Sequence, residues 1–452
     1  MSGASDITAF AQFLAFFEAR SLPATLLENA KACLLYGLAV GIGTRRARPA
    51  KLAWDAADRK RESGATTRLI DGARTSQGSA AFANAVLLSG RVQGDSHPCG
   101  HIGGVVIPSA LAAAETENAT GATLLSGLVA GYESALRIGR DHAADLSLRG
   151  FRTTPSYGVF GATVASGRIR GFDAVTMRNA IGLAANFAGG LREYVDAGTE
   201  ESPFQAGFAA RNGVYVVDLA ACGLQATPNA LHGGAGFYRA FGKENVDYGH
   251  RLIEKLGEDF EFKSVTYKQY PACQFLRGII RGLAALREQA KGSTVHSMDI
   301  QMHPYEANFI GVRFSGPFAT AAQTVMSAPF CAALAWSTGT ASFDGLRRFD
   351  DAAVNALVPR IKITADETRK LYEPFMQVRL ADGRQLEWAE QAGDSNYRVT
   401  WVAATAMTNQ LCEEVGVPRA SAQRLIDVVA QIESAADVSP LVVAVCAATT
   451  QR

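Results

Sequence analysis

Within the seven residues Asp95-Ser96-His97-Pro98-Cys99-Gly100-His101 the chain places two imidazoles and a carboxylate. That set suits proton transfer, because imidazole titrates near neutrality and a carboxylate can orient it, and it equally matches the donors of a metal site. Pro98 and Gly100 interrupt any helix here, so the histidines are not an ordinary pair one turn apart and their ring directions do not follow from spacing. The segment reads as a loop entering a helix near Ser109. A metal would need ligands aimed by a regular element and steadied by surrounding hydrogen bonds. Neither is announced, so acid/base or substrate-binding use is expected and no metal, beside the plainer alternative of a structural loop with solvated histidines.

Three arginines stand in glycine- or aromatic-flanked settings: Arg91, Arg152 in Gly150-Phe151-Arg152-Thr153-Thr154-Pro155, and Arg277 after Tyr270-Pro271-Ala272-Cys273. A guanidinium is a planar fork matched to a carboxylate and stays protonated, so it binds or polarises but does not act as a base. Singly, each reads as a surface or salt-bridge arginine; only convergence on one ligand would give them chemistry. The glycine-rich stretches at 186–190 and 232–237 lack the spacing and the strand-to-helix context of a phosphate loop, so nucleotide binding is not expected. Cys273 has no activating neighbour in sequence and reads as a buried, inert thiol.

The elements that must hold these groups come from a chain of 452 residues, long enough for two or three domains. Lys+Arg 44 against Asp+Glu 43 leaves a net charge of +1, which gives no electrostatic footprint for nucleic acid or an anionic membrane. Seven scattered cysteines without metal or redox spacing, and a start that lacks the pattern of a signal peptide, imply a reduced, cytoplasmic protein. No apolar run is expected to span a membrane; the segment 435–449 is short and contains Pro440. Residues 1–265 show helical periodicity with many Ala, Leu and Gly. From 266 to 400 the texture turns α/β, with strands predicted around Val295 and at Arg360-Ile361-Lys362-Ile363-Thr364, and a hairpin from Met376 to Trp388 turning at Asp382-Gly383. Residues 401–452 return to helix. The fold class is therefore mainly α: an all-helical domain (1–265 plus 401–452) with a smaller inserted α/β domain (266–400).

The segments at 97–115 (HPCGHIGGVVIPSALAAAE), 131–140 (GYESALRIGR), 150–173, 202–213 (SPFQAGFAARNG), 267–275 (YKQYPACQF) and 321–339, in this order, resemble the MmgE/PrpD family, which includes 2-methylcitrate dehydratase, cis-aconitate decarboxylase and iminodisuccinate epimerase. The resemblance implies an all-α domain carrying an inserted α/β lid, a homodimer, and a pocket that works without a cofactor. Against the family pattern, Arg152 and Arg277 stand where histidines are usual, Ser202 replaces a lysine before Pro203, Gln205 replaces a histidine, and Asp95 alone survives of an acidic run. His101 keeps its place.

The implied activity is that of a lyase or isomerase acting on a small polycarboxylate by proton abstraction next to a carboxylate. His101 is expected as the principal acid/base, with Asp95 or His97 as orienting or second proton-transfer group. Arg91, Arg152 and Arg277 are expected to clamp carboxylates, Ser202 and Gln205 to line the site, and Tyr157 and Lys268 to lie within reach. Dehydration of a 2-methylcitrate-like substrate leads; decarboxylation, epimerisation and binding without catalysis stay open.

Overall fold

The computed structural model describes residues 2–450 except 244, 245, 247 and 250. Its backbone contacts divide into two units: 1–191, 202–265 and 399–452 form the first, and 192–201 with 266–398 the second. The short segment 192–201, read from sequence as part of the helical domain, thus belongs to the α/β unit. Where the chain enters and leaves the second unit, Thr266 bridges Arg398 antiparallel and the Tyr267 N–H donates to the Tyr397 carbonyl at 2.8 Å. The insertion closes on itself by pairing its own ends.

The first unit is helical: α1 (Ser2–Ala15), α2 (Ala24–Thr44), α3 (Arg48–Arg59), α4 (Gln77–Ser89), α5 (Gly103–Thr116), α6 (Gly121–Gly139), α7 (Ala143–Leu148), α8 (Thr153–Ile169) and α9 (Ala174–Ala184), then Glu201–Ala221 and three C-terminal helices, Trp401–Glu414, Arg419–Ala430 and Ser439–Thr449. A two-strand hairpin, β1 (Thr66–Thr67) and β2 (Arg74–Thr75), is its only named sheet among the described residues. Side chains supply missing caps: Ser76 Oγ accepts from Ser79 N–H before α4, and Thr120 Oγ1 from Thr123 N–H before α6. The most intimate helix pair is α6 with α8. Small residues let them meet backbone to backbone, since a Cβ on Gly131 would lie 2.7 Å from the Gly161 carbonyl oxygen.

Two expectations change here. The helix after the histidine segment starts at Gly103, six residues before Ser109, and carries Pro108 inside it at the cost of one backbone hydrogen bond. And α2, at 21 residues, is long and apolar enough to cross a membrane, contrary to the sequence reading that no run would be; two thirds of its apolar window (67%) is buried, with α4 and the Trp401–Glu414 helix packed on it.

The second unit is built on a sheet of order β4-β3-β5-β6, with β3 (Val295–Met302), β4 (Ile361–Ala365), β5 (Phe375–Leu380) and β6 (Gln385–Ala389). β3 runs parallel to β4 and antiparallel to β5, and β5 and β6 form a hairpin turning through Gly383 at φ +88. Alternation sends Met298, Ile300, Met302, Met376, Val378 and Leu380 into one core with the helices Arg277–Ala290 and Ala328–Thr338. The first of those helices approaches the sheet closely at Gly282, where a Cβ would meet the Met376 side chain at 2.2 Å.

Candidate active site

The histidine segment is a tight turn fastened at both ends. His97 and Gly100 exchange backbone hydrogen bonds of 3.1 and 2.8 Å, and Gly100 sits at φ +110 with no room for a side chain, because a Cβ would come within 2.7 Å of the Thr154 nitrogen. Beyond the turn, the His101 N–H donates to Thr154 Oγ1 at 2.9 Å, docking the segment on the start of α8.

Asp95 is drawn into that framework. Both its carboxylate oxygens lie 3.0 Å from Gly103 N–H at the start of α5, and Tyr132 OH donates to Oδ2 at 2.9 Å. Of the two roles expected for Asp95, orienting or second proton-transfer group, its carboxylate is placed for neither, since it caps a helix and satisfies one of the N–H groups left unpaired there. The Asp95 backbone carbonyl does the orienting instead. It faces His101 Nδ1 at 2.6 Å, and a carbonyl only accepts, so Nδ1 carries the proton and Nε2 is the basic nitrogen of the neutral ring. His101 is half-buried.

His97 is buried with both ring nitrogens engaged. Nδ1 accepts from Cys99 N–H at 3.2 Å and Nε2 faces Glu261 Oε1 at 3.4 Å. Glu261 also receives Arg140 Nη1 at 2.9 Å. Burial opposes ionisation of Glu261, but the His97 and Arg140 hydrogen bonds outweigh it and hold the carboxyl down at about 2. His97 therefore belongs to the support of the turn.

Arg152 precedes α8 and donates through Nη1 to the Ser202 carbonyl. Gln205, one turn further along the Glu201–Ala221 helix, donates to the Leu191 carbonyl at 2.9 Å, and its buried Oε1 has no hydrogen-bond partner among the described residues. His101, Thr154, Arg152, Ser202 and Gln205 are thus linked around the start of α8. The structure does not bring Tyr157 to them as a ligand group. It is fully buried, with its OH 2.7 Å from His142 Nδ1 and its ring edge-on to Phe237. Tyr157, expected within reach of the site, meets His142 instead.

Two of the three arginines expected to clamp carboxylates are held by partners of their own. Arg91 is buried, with Nη2 at 3.0 and 2.9 Å from the two Glu414 oxygens, Nη1 on the Gly43 carbonyl and Nε on Gln93 Oε1. Arg277, in the second unit, donates to Asp394, Thr266 and the Gln274 and Tyr267 carbonyls, and lies over the rings of Tyr397 and Tyr372 at 4.1 and 5.1 Å. Each fork is occupied by its own unit. Lys268 is fully buried near Cys273, whose thiol burial pushes up despite that cation; Cys273 is not an activated nucleophile. Among the described residues no three His, Cys, Asp or Glu side chains are grouped to hold a metal.

A cavity of about 310 Å³ in the first unit, lined by Thr67, Arg74, Glu115, Ser439 and Cys446 among others, lies away from these groups. Of its two carboxylates, Glu115 is occupied by Thr67 and Arg74 and Asp437 accepts from Ser439 N–H.

The family model for the MmgE/PrpD N-terminal domain matches residues 8–248 of the 452, a stretch that includes the histidine turn, α8 and the Glu201–Ala221 helix. The chain belongs to the MmgE/PrpD family. Among curated proteins, cis-aconitate decarboxylase of Aspergillus terreus is 26% identical over 283 residues, covering 59% of this chain and 57% of that protein. The cis-aconitate decarboxylase-like protein of Aspergillus oryzae is 27% identical over 281 residues, 59% of this chain and 58% of that protein. Human cis-aconitate decarboxylase is 26% identical over 219 residues, 46% and 44%. The chain spans about half the length of the curated relatives it matches.

Sequence reasoning missed Glu261, Thr154 and Tyr132. It also missed Glu306, a fully buried carboxyl of the second unit that burial pushes up to about 7, against the opposing pull of Tyr372 N–H and Arg277. One signal was available: Glu133 and Arg137, four residues apart within the apolar α6, announce a buried pair that must hold something.

Proposed function

We propose that this protein is a lyase of the MmgE/PrpD type that works without a cofactor on a small polycarboxylate, with His101 Nε2 moving the proton at a carbon next to a carboxylate. The observation that carries the reading is the Asp95 carbonyl on His101 Nδ1, which fixes one tautomer and one basic nitrogen in a half-buried ring. Family membership and the decarboxylase relatives support a related lyase-type function.

Within that class, decarboxylation is the finer reading. Dehydration needs a base for the carbon-bound proton and a separate acid for the departing hydroxyl. With Asp95 engaged as a helix cap and His97 engaged with Glu261, one imidazole remains in the first unit's site. Decarboxylation asks for less: the C–CO2 bond breaks, CO2 leaves, the electron pair stays on the carbon framework, and a proton that His101 Nε2 takes up from solvent is delivered to carbon. Arg152 supplies the cation that holds a carboxylate, beside Ser202 and Gln205. A homodimer, carried over from the family resemblance, and a cytoplasmic location, carried over from the cysteine pattern, complete the proposal.

The test is NMR of cis-aconitate, citrate, methylcitrate and iminodisuccinate incubated with the pure protein in deuterated water. Loss of CO2 from cis-aconitate with deuterium entering the product is expected, and His101→Gln should cut turnover by about 10² or more. Thermal stabilisation by these acids without any turnover or exchange would make the protein a binder and sink the lyase reading.

A further inference from the structure

We infer that Glu261 is a positioning residue for His101, acting through the His97 ring and the 97–100 turn. The inference rests on the reading of His101 as the proton-transfer group and goes beyond it by naming what holds that group in place.

His101 is aimed from two sides, by the Asp95 carbonyl on its ring and by Thr154 on its backbone, and both contacts require the preceding turn to keep its shape. The turn has few means of its own. It has two backbone hydrogen bonds, and Gly100 sits at a φ that glycine alone adopts cheaply. The His97 ring braces it from inside, Nδ1 taking the Cys99 N–H. A nitrogen that accepts carries no proton, so in this ring Nε2 carries it and needs an acceptor. Glu261 Oε1 is that acceptor, at 3.4 Å.

Glu261 is itself built in. Its N–H and that of Phe262 donate to the two oxygens of Glu133, each at 3.1 Å, while Arg137 binds Glu133 at 2.6 Å and also takes the Leu252 and Glu254 carbonyls. Arg140 holds Oε2. One face of α6 therefore anchors the 252–262 stretch, and that stretch presents a carboxylate to the histidine turn. All of these residues lie in the first unit.

A rival account makes Glu261 a salt-bridge partner of Arg140 and nothing more. Two variants separate the accounts. Glu261→Gln keeps the reach and an oxygen for His97 Nε2–H but drops the charge; Glu261→Asp keeps the charge but falls one methylene short. In the full-length protein labelled with ¹⁵N, ring spectra at neutral pH should show His97 as the Nε2–H tautomer and His101 as the Nδ1–H tautomer. Glu261→Gln should preserve both and retain most of the turnover. Glu261→Asp should blur both into tautomer mixtures and lower kcat by about tenfold or more, as expected when a catalytic group is displaced, with KM little changed. The reverse order, Asp tolerated and Gln damaging, or an unchanged His101 signal in Glu261→Asp, overturns the inference. Because the ring spectra need no substrate, they decide the point even if His101→Gln leaves turnover intact, which would defeat the functional reading alone.

Discussion

At the scale of single residues, the proposed function assigns the same chemical type two purposes, separated by environment. Arg91 and Arg152 are both buried arginines of the first unit. Arg91 is paired with Glu414, 323 positions away in sequence, so Arg91→Met should strand a partly buried carboxylate and lower the melting temperature, a loss of about 3–5 kcal/mol where such a pair is fully buried and less here, since Glu414 keeps contact with water. Arg152→Met should lower the melting temperature by unpairing the Ser202 carbonyl and, where the proposed role holds, also weaken polycarboxylate binding by roughly 1.5–3 kcal/mol, the worth of a hydrogen bond to a charged partner. Calorimetric titration with citrate, set beside thermal unfolding of each variant, checks both. Equal loss of affinity in the two variants would restore the clamp. Sequence could show that Arg91 and Arg277 were unusual but not what each one met, because Glu414 and Asp394 reach them only through the tertiary fold. His101 was legible because one short motif carried it; its orienting group, the Asp95 carbonyl, was not, because backbone atoms leave no trace in residue identity.

At the scale of elements, periodicity and turn chemistry were readable wherever they were local. The hairpin at Asp382-Gly383 and the strands around Val295 and Ile361 follow from alternation and a turn pair. The sequence reading places the start of α5 near Ser109, whereas a helix fixed by Asp95 at its first N–H and packed on α4 and α8 begins at Gly103 and runs through Pro108. What the abundant glycines do is equally a matter of contact. Gly131→Ala would push a methyl into the α8 backbone, an overpacking cost of roughly 1–3 kcal/mol that exceeds the helix-propensity gain of about 1 kcal/mol. Gly78→Ala, on α4, meets only the Arg211 side chain at 3.5 Å and keeps the propensity gain. Thermal unfolding should therefore place Gly131→Ala below and Gly78→Ala at or above the parent. A Gly131→Ala variant as stable as the parent would mean that α6 and α8 part without cost.

At the scale of the whole chain, one buried group in each unit, Glu306 in the second and His142 in the first, is displaced so that acidification acts on the two in opposite directions. In the second unit, burial pushes the Glu306 carboxyl up to about 7, from an ordinary 4.5. A raised folded value means that stability is complete below 4.5, where folded and unfolded chains are both protonated; it drains as pH rises and the unfolded chain ionises first, and the loss is complete above about 7. The full swing is on the order of 3 kcal/mol. In the first unit, burial lowers His142 from 6.5, partly offset by the Phe241 carbonyl and Asp145. Its contribution is intact above 6.5 and is lost on acidification, as the unfolded chain takes up a proton that the buried ring resists. Moving from pH 8 to pH 5 should therefore strengthen the 277–302 region and weaken the 142–148 region around His142, outside the stretch that carries Glu133, whose carboxyl burial pushes up. Peptide-resolved hydrogen exchange, corrected for the intrinsic pH dependence of the rates, reads the two separately. Glu306→Gln, neutral at every pH and nearly the same shape, should stabilise the second unit at pH 8 and flatten its pH slope, leaving the first unit's slope in place. If both regions lose protection together on acidification and Glu306→Gln changes neither slope, Glu306 is ionised in the folded protein and the opposition between the units does not exist.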